Sequence, residues 1–215
     1  METIEWKVSN TPVPYPESVE FMTKTVQSII AGTGPELVWL LEHPDIYTRG
    51  SSARANELKY QPVAPIYSTG RGGRYTYHGP GQRVVYLMMD LRTRGKDIKK
   101  YVYNLESLLI NTIAEFGIKG ERRHGRIGVW VSQGNNMDVK LGAVGVRVRK
   151  WVTSHGISLN ISPNLAMYDA IVPCGINGHG ISSLQELGVP ALMQNVDEIL
   201  CQNFQKIFGE IEFTT

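Results

Sequence analysis

Residues 128–161 of the sequence are GVWVSQGNNMDVKLGAVGVRVRKWVTSHGISLNI, a run in which apolar and polar side chains alternate. Alternation with a period of two is typical of β-strands, and the run predicts three strands joined by turns at residues 133–138 and 153–156. Lys140 opens the middle strand beside Gly142 and Gly145. Glycines inside a strand allow a ligand or another backbone to approach closely.

Further elements are predicted on both sides of this run. Residues 36–44 and 83–91 are almost continuously apolar, as in strands buried on both faces, and shorter strands are predicted at residues 3–8 and 64–68. Helices are predicted from about residue 17 to 30, from Asp97 to a stop at Gly117, and from about residue 196 to 208. The 215 residues, 42% of them hydrophobic, suit one globular domain that spans residues 1–215.

Residues 70–82, GRGGRYTYHGPGQ, contain five glycines and no aliphatic side chain. Such a segment is typical either of a binding-site wall or of a glycine-rich turn between two strands. It does not fit the dinucleotide motif, because a strand-like run follows Gly81 where a helix would be needed. It also lacks the Lys and Ser or Thr of a P-loop, so nucleotide phosphate binding has little support.

The overall charge gives little indication of a nucleic-acid partner. The 22 basic and 20 acidic residues give a formal net charge of +2. Arg147 and Arg149 share one face of a predicted strand, either as a local basic patch or as an ordinary exposed face. No apolar run is long enough to span a bilayer, and the first ten residues lack the pattern of a signal peptide, so we expect a soluble, cytoplasmic protein.

The cysteines and histidines supply the candidate reactive groups. Cys174 stands between a proline and a glycine in an irregular segment, a context that has features of a nucleophile, although a small buried residue is the more common case for a free cysteine. Cys201 is spaced with two phenylalanines of the last helix and is assigned to packing. His43, His78 and His155 are candidates for a cleft, without an assignable acid or base role. No disulfide framework, zinc site or other metal site is predicted.

Three separated motifs can be combined: RGGRYTYHGPGQ at residues 71–82, KLGAVGVRVRKWVTSHGISLN at 140–160 and VPCG at 172–175. Together they resemble the lipoyl(octanoyl) transferase family, and LLEHPDIYTRGSS at 40–52 extends the similarity more weakly. The resemblance implies an α+β fold like the catalytic domain of biotin and lipoate protein ligases. That fold has a mixed, largely antiparallel sheet flanked by helices.

The resemblance also implies an activity, its partners and the absence of a cofactor. Family members move an octanoyl group from acyl carrier protein, through a cysteine acyl-enzyme, to a lysine of a lipoyl domain, which is the first step of protein lipoylation. The implied partners are octanoyl-acyl carrier protein and the lipoyl domains of 2-oxoacid dehydrogenase complexes and similar acceptors. Neither nucleic acid nor a membrane is implied.

Site residues follow from the resemblance by position. Cys174 matches the acyl-accepting cysteine, and Lys140 matches the lysine that lowers the pKa of that cysteine and serves as its acid/base partner. Ser158 stands where an alanine is frequent. Arg147, Arg149 and Lys150 would be available to attract the acidic carrier protein. The residues that match substrate-contacting stretches, and would line an acyl tunnel, are Arg71, Gly72, Gly73, Arg74, Tyr75, Thr76, Tyr77, His78, Ala143, Val144, Gly145, Gly156, Ile157 and Ser158.

Two alternatives stay open at this stage. An ATP-dependent lipoate or biotin ligase on the same scaffold would need no nucleophilic cysteine. A non-catalytic module that binds acyl carrier protein would keep the scaffold without turnover. The acyl chain length, the oligomeric state and the physiological lipoyl acceptor are not encoded in any motif of the sequence.

Overall fold

The computed structural model describes residues 4–134, 137–172 and 179–214. These residues form three α-helices, twelve β-strands and two short 3₁₀ turns at Ala55–Glu57 and Leu165–Ala170. The helices are α1 Tyr15–Ala31, α2 Ile98–Ala114 and α3 Met193–Phe208. The strands are β1 Ile4–Val8, β2 Leu37–Leu41, β3 Ile46–Arg49, β4 Ile66–Ser68, β5 Tyr75–His78, β6 Gln82–Met88, β7 Glu121–Arg123, β8 Arg126–Ser132, β9 Asp138–Arg149, β10 Val152–Asn160, β11 Gly180–Ile181 and β12 Ile211–Phe213.

Nine of the strands form one mixed sheet. Its order is β12-β1-β2-β6-β10-β9-β8-β7, and β11 pairs with β9 beside this path. The pairs β12–β1, β1–β2 and β11–β9 are parallel, whereas every pair from β2 to β7 is antiparallel. The predicted fold class, a mixed and largely antiparallel sheet flanked by helices, is therefore confirmed.

The helices cover the two faces of this sheet. Trp39 of β2 packs with α1 on one face, whereas Leu40 belongs to the cluster that contains α2 and α3 on the other. All five residues of β2 and all seven of β6 are buried. Burial on both faces explains why these two strands have almost continuously apolar sequences.

Helix α2 begins where the sequence predicts it. The side chain of Asp97 caps it by accepting a hydrogen bond from the backbone N–H of Lys100 at 2.9 Å. Leu105, Leu109 and Ile113 form its buried face. The prediction that Asp97 opens an amphipathic core helix is confirmed.

The predicted turn at residues 153–156 is wrong. Strand β10 runs straight through these residues, and the hairpin between β9 and β10 turns at Lys150 and Trp151, which have φ of 49° and 68°. Two successive positive φ values match the twist of a tight hairpin, but neither residue is the Gly or Asn that usually marks one. His155, inside the predicted turn, has φ of 59° within β10.

The glycine-rich segment at residues 70–82 is more regular than predicted. Tyr75–His78 form β5, which pairs with β3 in a second sheet of order β4-β3-β5. Tyr75 and Tyr77 point into a cluster with Tyr47 and Tyr168 on one side of this small sheet. Strand alternation places Thr76 and His78 on the other side. Strands β3, β7, β11 and β12, which have two to four residues each, also lack a prediction.

Leu105 gives a direct test of the face that α2 buries. The side chain is fully buried in the main cluster, so Leu105→Ala should lower the free energy of unfolding by about 2–5 kcal/mol in chemical denaturation. Ile98 on the same helix is 40% exposed and provides the control, since Ile98→Ala should cost far less. Equal losses would contradict this packing of α2.

Candidate active site

A cavity of about 500 Å³ lies between the main sheet and the glycine-rich segment. Four small residues of the sheet line it: Gly145 stands opposite Gly156, and Ala143 stands opposite Ser158 in the β9–β10 pairing. Directly opposed residues share a face, so these four residues lie together on the cavity side of the sheet. The small side chains leave room for the cavity, whose volume suits a small ligand.

The glycine-rich segment lies directly on β9. The N–H of Gly72 donates to the carbonyl oxygen of Val146 at 2.9 Å. A Cβ atom at Gly145 would stand 3.2 Å from the carbonyl oxygen of Gly72 and 3.3 Å from Cδ of Arg71. The absence of a side chain at Gly145 thus permits this close approach.

Arg71 holds the segment in shape. Its guanidinium donates hydrogen bonds at 2.9 Å to the backbone carbonyls of Gly72, Thr48 and Arg74, and one at 2.7 Å to the hydroxyl of Thr48. The side chain is only 8% exposed although it lines the cavity. Arg71 therefore connects β3 to the glycine-rich segment and places a positive charge in the wall.

Lys140 reaches the same cavity from β9. Its ammonium donates a 2.8 Å hydrogen bond to the carbonyl oxygen of Ile127 and lies 5.3 Å from the centre of the Trp130 ring. The residue is 6% exposed. On β9 it pairs with Trp130 of β8 and with Ile181 of β11, so it is fixed from two neighbouring strands.

His78 belongs to a buried chain of hydrogen bonds that begins at Arg71. The Thr48 hydroxyl, which accepts from Arg71, lies 3.3 Å from Nε2 of His78, and Nδ1 of His78 donates to Oε1 of Gln82 at 2.6 Å. The Gln82 amide donates in turn to Oδ1 of Asn160 at 2.9 Å. Burial, with the positive charge of Arg71 nearby, lowers the pKa of His78 to about 3, so this ring is neutral.

A second polar group near the cavity was not predicted from the sequence as a unit. Tyr15 and Tyr86 line the cavity with His155, and the Tyr15 hydroxyl lies 3.2 Å from Nε2 of His155. The hydroxyl of Tyr86 donates to Nε2 of His43 at 2.7 Å, while Nδ1 of His43 donates to the carbonyl oxygen of Val13 at 2.6 Å. Burial lowers the pKa of both His43 and His155 to about 4. These rings are neutral near pH 7.

Most of the described residues proposed from the motifs lie together at the cavity. Tyr77 does not line it: it is fully buried, and its hydroxyl donates to Asp45 at 2.6 Å on the far side of the small sheet. Tyr15, Thr48 and Tyr86 line the cavity without having been predicted. The predicted site residues that line it are Arg71, Gly72, Gly73, Arg74, Tyr75, Thr76, His78, Lys140, Ala143, Val144, Gly145, Gly156, Ile157 and Ser158.

Cys174 lies outside the described residues, but the residues before and after its segment have defined contacts with the rest of the domain. Ile171 bridges to Leu58, and the N–H of Val172 donates to the carbonyl oxygen of Glu57 at 2.7 Å. After the segment, Ile181 pairs with Lys140, and Ser182 N–H donates to the Lys140 carbonyl oxygen at 3.0 Å. At Ile181 and Ser182 the chain therefore runs beside Lys140.

Two kinds of feature are absent from the described part of the chain. Residues 4–134, 137–172 and 179–214 contain no cluster of three or more histidine, cysteine or acidic side chains suited to a metal ion. Within the same ranges, none of the helices combines the length and the apolar character that crossing a membrane requires.

Comparison with known proteins places the chain in a family. A family model described as the lipoyl protein ligase A/B catalytic domain matches residues 14–205. The chain belongs to this family. Octanoyltransferases of Paramagnetospirillum magneticum and Rhodospirillum rubrum are each 52% identical over 206 residues, which cover 96% of this chain and 97% and 95% of the two relatives. The resemblance predicted from the three motifs is confirmed.

Solved structures of lipoyl protein ligases share the fold. A bipartite lipoate protein ligase from Thermoplasma acidophilum matches 100% of this chain and 88% of its own with a TM-score of 0.71 at 14% identity. A lipoate-protein ligase A bound with ATP gives a TM-score of 0.68 at 13% identity, over 100% and 90% of the two chains. At such low identity these structures show a shared fold alone.

The buried histidines predict how the stability of this lipoyl ligase family member depends on pH. The pKa of His43 is about 4 in the folded chain and 6.5 when unperturbed, so the unfolded chain binds more protons between these values. The free energy of unfolding should therefore fall as the pH drops from about 6.5 to about 4. Replacement by His43→Gln should reduce the slope by up to about 1.4 kcal/mol per pH unit in urea unfolding at pH 7, 6 and 5.

The control is Tyr86→Phe, which removes the hydroxyl partner of His43 but keeps the imidazole. This variant should lose stability at each pH and retain most of the slope. A His43→Gln variant with the wild-type slope would show that His43 is not held neutral in the folded chain.

Proposed function

We propose that this chain transfers octanoyl groups from acyl carrier protein to lipoyl domains through an acyl-enzyme on Cys174, with Lys140 as the proton-transfer group. Octanoyl transfer is the activity named for relatives that are 52% identical over 96% of the chain, which confirms the predicted enzyme class. The position of Lys140 carries the proposal for the route: the residue lines the cavity, and its strand pairs with the residues that follow the Cys174 segment.

The proposed reaction consists of two acyl transfers. The Cys174 thiolate attacks the thioester carbonyl, the bond to the phosphopantetheine sulfur breaks, and the Lys140 ammonium gives its proton to the leaving thiolate, which departs as the thiol. The neutral Lys140 amine then accepts a proton from the lipoyl-domain lysine as that amine attacks the acyl-cysteine. An amide forms, the Cys174 thiolate returns, and Lys140 is again an ammonium.

The residues that line the cavity suit a substrate that combines an acyl chain with an anionic carrier group. Apolar contacts come from residues such as Val84, which pairs with Ser158, and Ala143, and they suit a hydrocarbon chain. Four basic residues also line the cavity, and no carboxylate is among the described residues of its wall. These basic residues are Arg71, Arg74, Arg126 and Lys140.

Lipoyl domains are the proposed acceptors. The structurally similar bipartite lipoate protein ligase of Thermoplasma acidophilum belongs to an archaeal lipoylation system together with its E2 lipoyl domain. The relatives named octanoyltransferase are far more similar to this chain than the ligases, which are only 13–14% identical. We therefore favour the transferase over the ATP-dependent ligase. Two variants in one assay can separate these alternatives.

The covalent route predicts an adduct on the protein. Incubation with octanoyl-acyl carrier protein should add one octanoyl group at Cys174 in intact-protein and peptide mass spectrometry. The Cys174→Ser variant should show no thioester adduct, and Lys140→Ala should form it at least about a hundredfold more slowly, because proton transfer is lost. Transfer to a lipoyl domain should proceed without ATP.

Two other outcomes would support the alternative functions. Activity of Cys174→Ser that depends on ATP would favour a ligase. Binding of octanoyl-acyl carrier protein without an adduct or transfer would favour a non-catalytic module.

A basic patch beside the cavity is the proposed docking surface for the carrier protein. Arg147, Arg149 and Lys150 are exposed at the β9–β10 hairpin, and the Arg147 guanidinium also packs closely against Gly70. Acyl carrier protein is acidic, so complementary charge would increase the rate of encounter.

Charge reversal at Arg149→Glu/Lys150→Glu leaves Arg147 in place and should raise the KM for octanoyl-acyl carrier protein about tenfold at low salt. The effect should shrink as salt is added, because screening weakens exposed charges. The control Lys99→Glu/Lys100→Glu reverses two exposed charges on α2 and should leave KM unchanged. An unchanged KM in the hairpin variant would remove this surface from the proposal.

A further inference from the structure

Glu106 is a buried carboxylate on the inner, largely apolar side of α2. It is 7% exposed, next to the fully buried Leu105. Its Oε1 accepts a 2.8 Å hydrogen bond from the N–H of Gly128, and its Oε2 accepts one at 3.1 Å from Nε of Arg122. A carboxylate costs free energy to bury, so its partners identify what it holds in place.

The partner of Glu106 is the peptide group between Ile127 and Gly128. The N–H of this group donates to Glu106, and its carbonyl oxygen accepts the 2.8 Å hydrogen bond from the Lys140 ammonium. No cis peptide occurs in the described residues, so the N–H and C=O of this group point in opposite directions. One peptide group therefore connects a buried carboxylate to the lysine that lines the cavity.

We infer that Glu106 is a positioning residue for Lys140 and acts through the peptide group between Ile127 and Gly128. A negative charge at the N–H end of a peptide polarises it and increases the negative charge on its carbonyl oxygen. That oxygen then holds an ammonium more strongly. Since the role of Lys140 in proton transfer belongs to the proposed function, the catalytic consequence of this inference rests on that proposal.

The surroundings of Lys140 leave little freedom for another arrangement. Gly128 has φ of 121°, and a Cβ atom there would overlap Cε of Lys140 and lie 2.7 Å from the Gly142 carbonyl oxygen. The Trp130 ring packs beside the ammonium at 5.3 Å. Arg122, which bonds Glu106, also donates to the Tyr103 carbonyl oxygen at 2.9 Å. These contacts thus fix the positions of the Glu106 carboxylate, the peptide group and Lys140 relative to one another.

Glu106→Gln tests the inference, because it removes the charge and keeps an oxygen that can accept from Gly128. The first measurement is the rate at which acetic anhydride modifies Lys140, read by peptide mass spectrometry relative to the exposed Lys99. We expect this rate to rise about fivefold when the ammonium is held less strongly. The measurement requires no enzymatic activity, so it remains informative if the proposed function fails.

The second measurement is the single-turnover acylation of Cys174 by octanoyl-acyl carrier protein. We expect the limiting rate to fall about fivefold, with an unchanged concentration of substrate at half-maximal rate, because Glu106 does not reach the cavity wall. Failure of the wild type to form an acyl-cysteine would overturn the proposed function, while Lys140 modification would still decide the link to Glu106.

Glu36→Gln is the matched control. Glu36 is also 7% exposed, and it also accepts from a backbone N–H, that of Asp90, and from an arginine, Arg94. It should lose stability as Glu106→Gln does, without a change in Lys140 modification or acylation. If Glu106→Gln does not fold, Glu106→Asp takes its place, since it keeps the charge and shortens the reach to Gly128.

The outcomes are distinct. Faster modification with slower acylation supports the inference. Unchanged Lys140 modification in the folded Glu106 variant overturns the link between the two residues. Faster modification with unchanged acylation overturns its consequence for the reaction, as does an equal effect of Glu36→Gln.

Discussion

The antiparallel pairing of β9 with β10 is the constraint on which the rest of the structure depends. Its register sets Gly145 opposite Gly156 and Ala143 opposite Ser158, and the residues between them pack into the core on the other face. A slip of one residue would turn large apolar side chains into the cavity and leave small ones in the core. The same register thus specifies both the packing of the domain and the space for a ligand.

The polar groups around the cavity show how a site can be rich in histidine and still carry little charge from it. His43, His78 and His155 are each buried, and each has a pKa well below its usual value. They act near neutral pH as hydrogen-bonding groups of defined orientation. The positive charge at the wall comes from arginine and lysine side chains instead, such as Arg71 and Lys140.

The sequence predicted the elements in which apolar residues form a clear pattern, either with a helical period or as a continuous run. Helix α2 and strands β2 and β6 were predicted because each presents a long apolar pattern. Strand β5 was missed because four strand residues lie within a segment dominated by glycine. The hairpin at Lys150 and Trp151 was misplaced because positive φ there comes from residues that rarely adopt it.

Part of the candidate site could be predicted and part could not. Lys140 and the glycine-rich segment were found because motifs preserve residue order along the chain. Tyr15 and Tyr86 were missed, since an aromatic residue at a core-like spacing gives no sign that it faces a cavity. Glu106 was missed because a charged residue within an amphipathic helix is normally expected on the solvent side.

The hydrogen bonds of Arg71 indicate why an arginine stands at this position of the glycine-rich segment. Its planar guanidinium reaches three backbone carbonyls from different directions, which a lysine ammonium on a flexible stem could not reproduce with the same geometry. Arg71 therefore fixes the course of the polypeptide around the cavity in addition to lining it. The positive charge that Arg71 places in the cavity wall is therefore tied to the shape of the glycine-rich segment, because one guanidinium provides both.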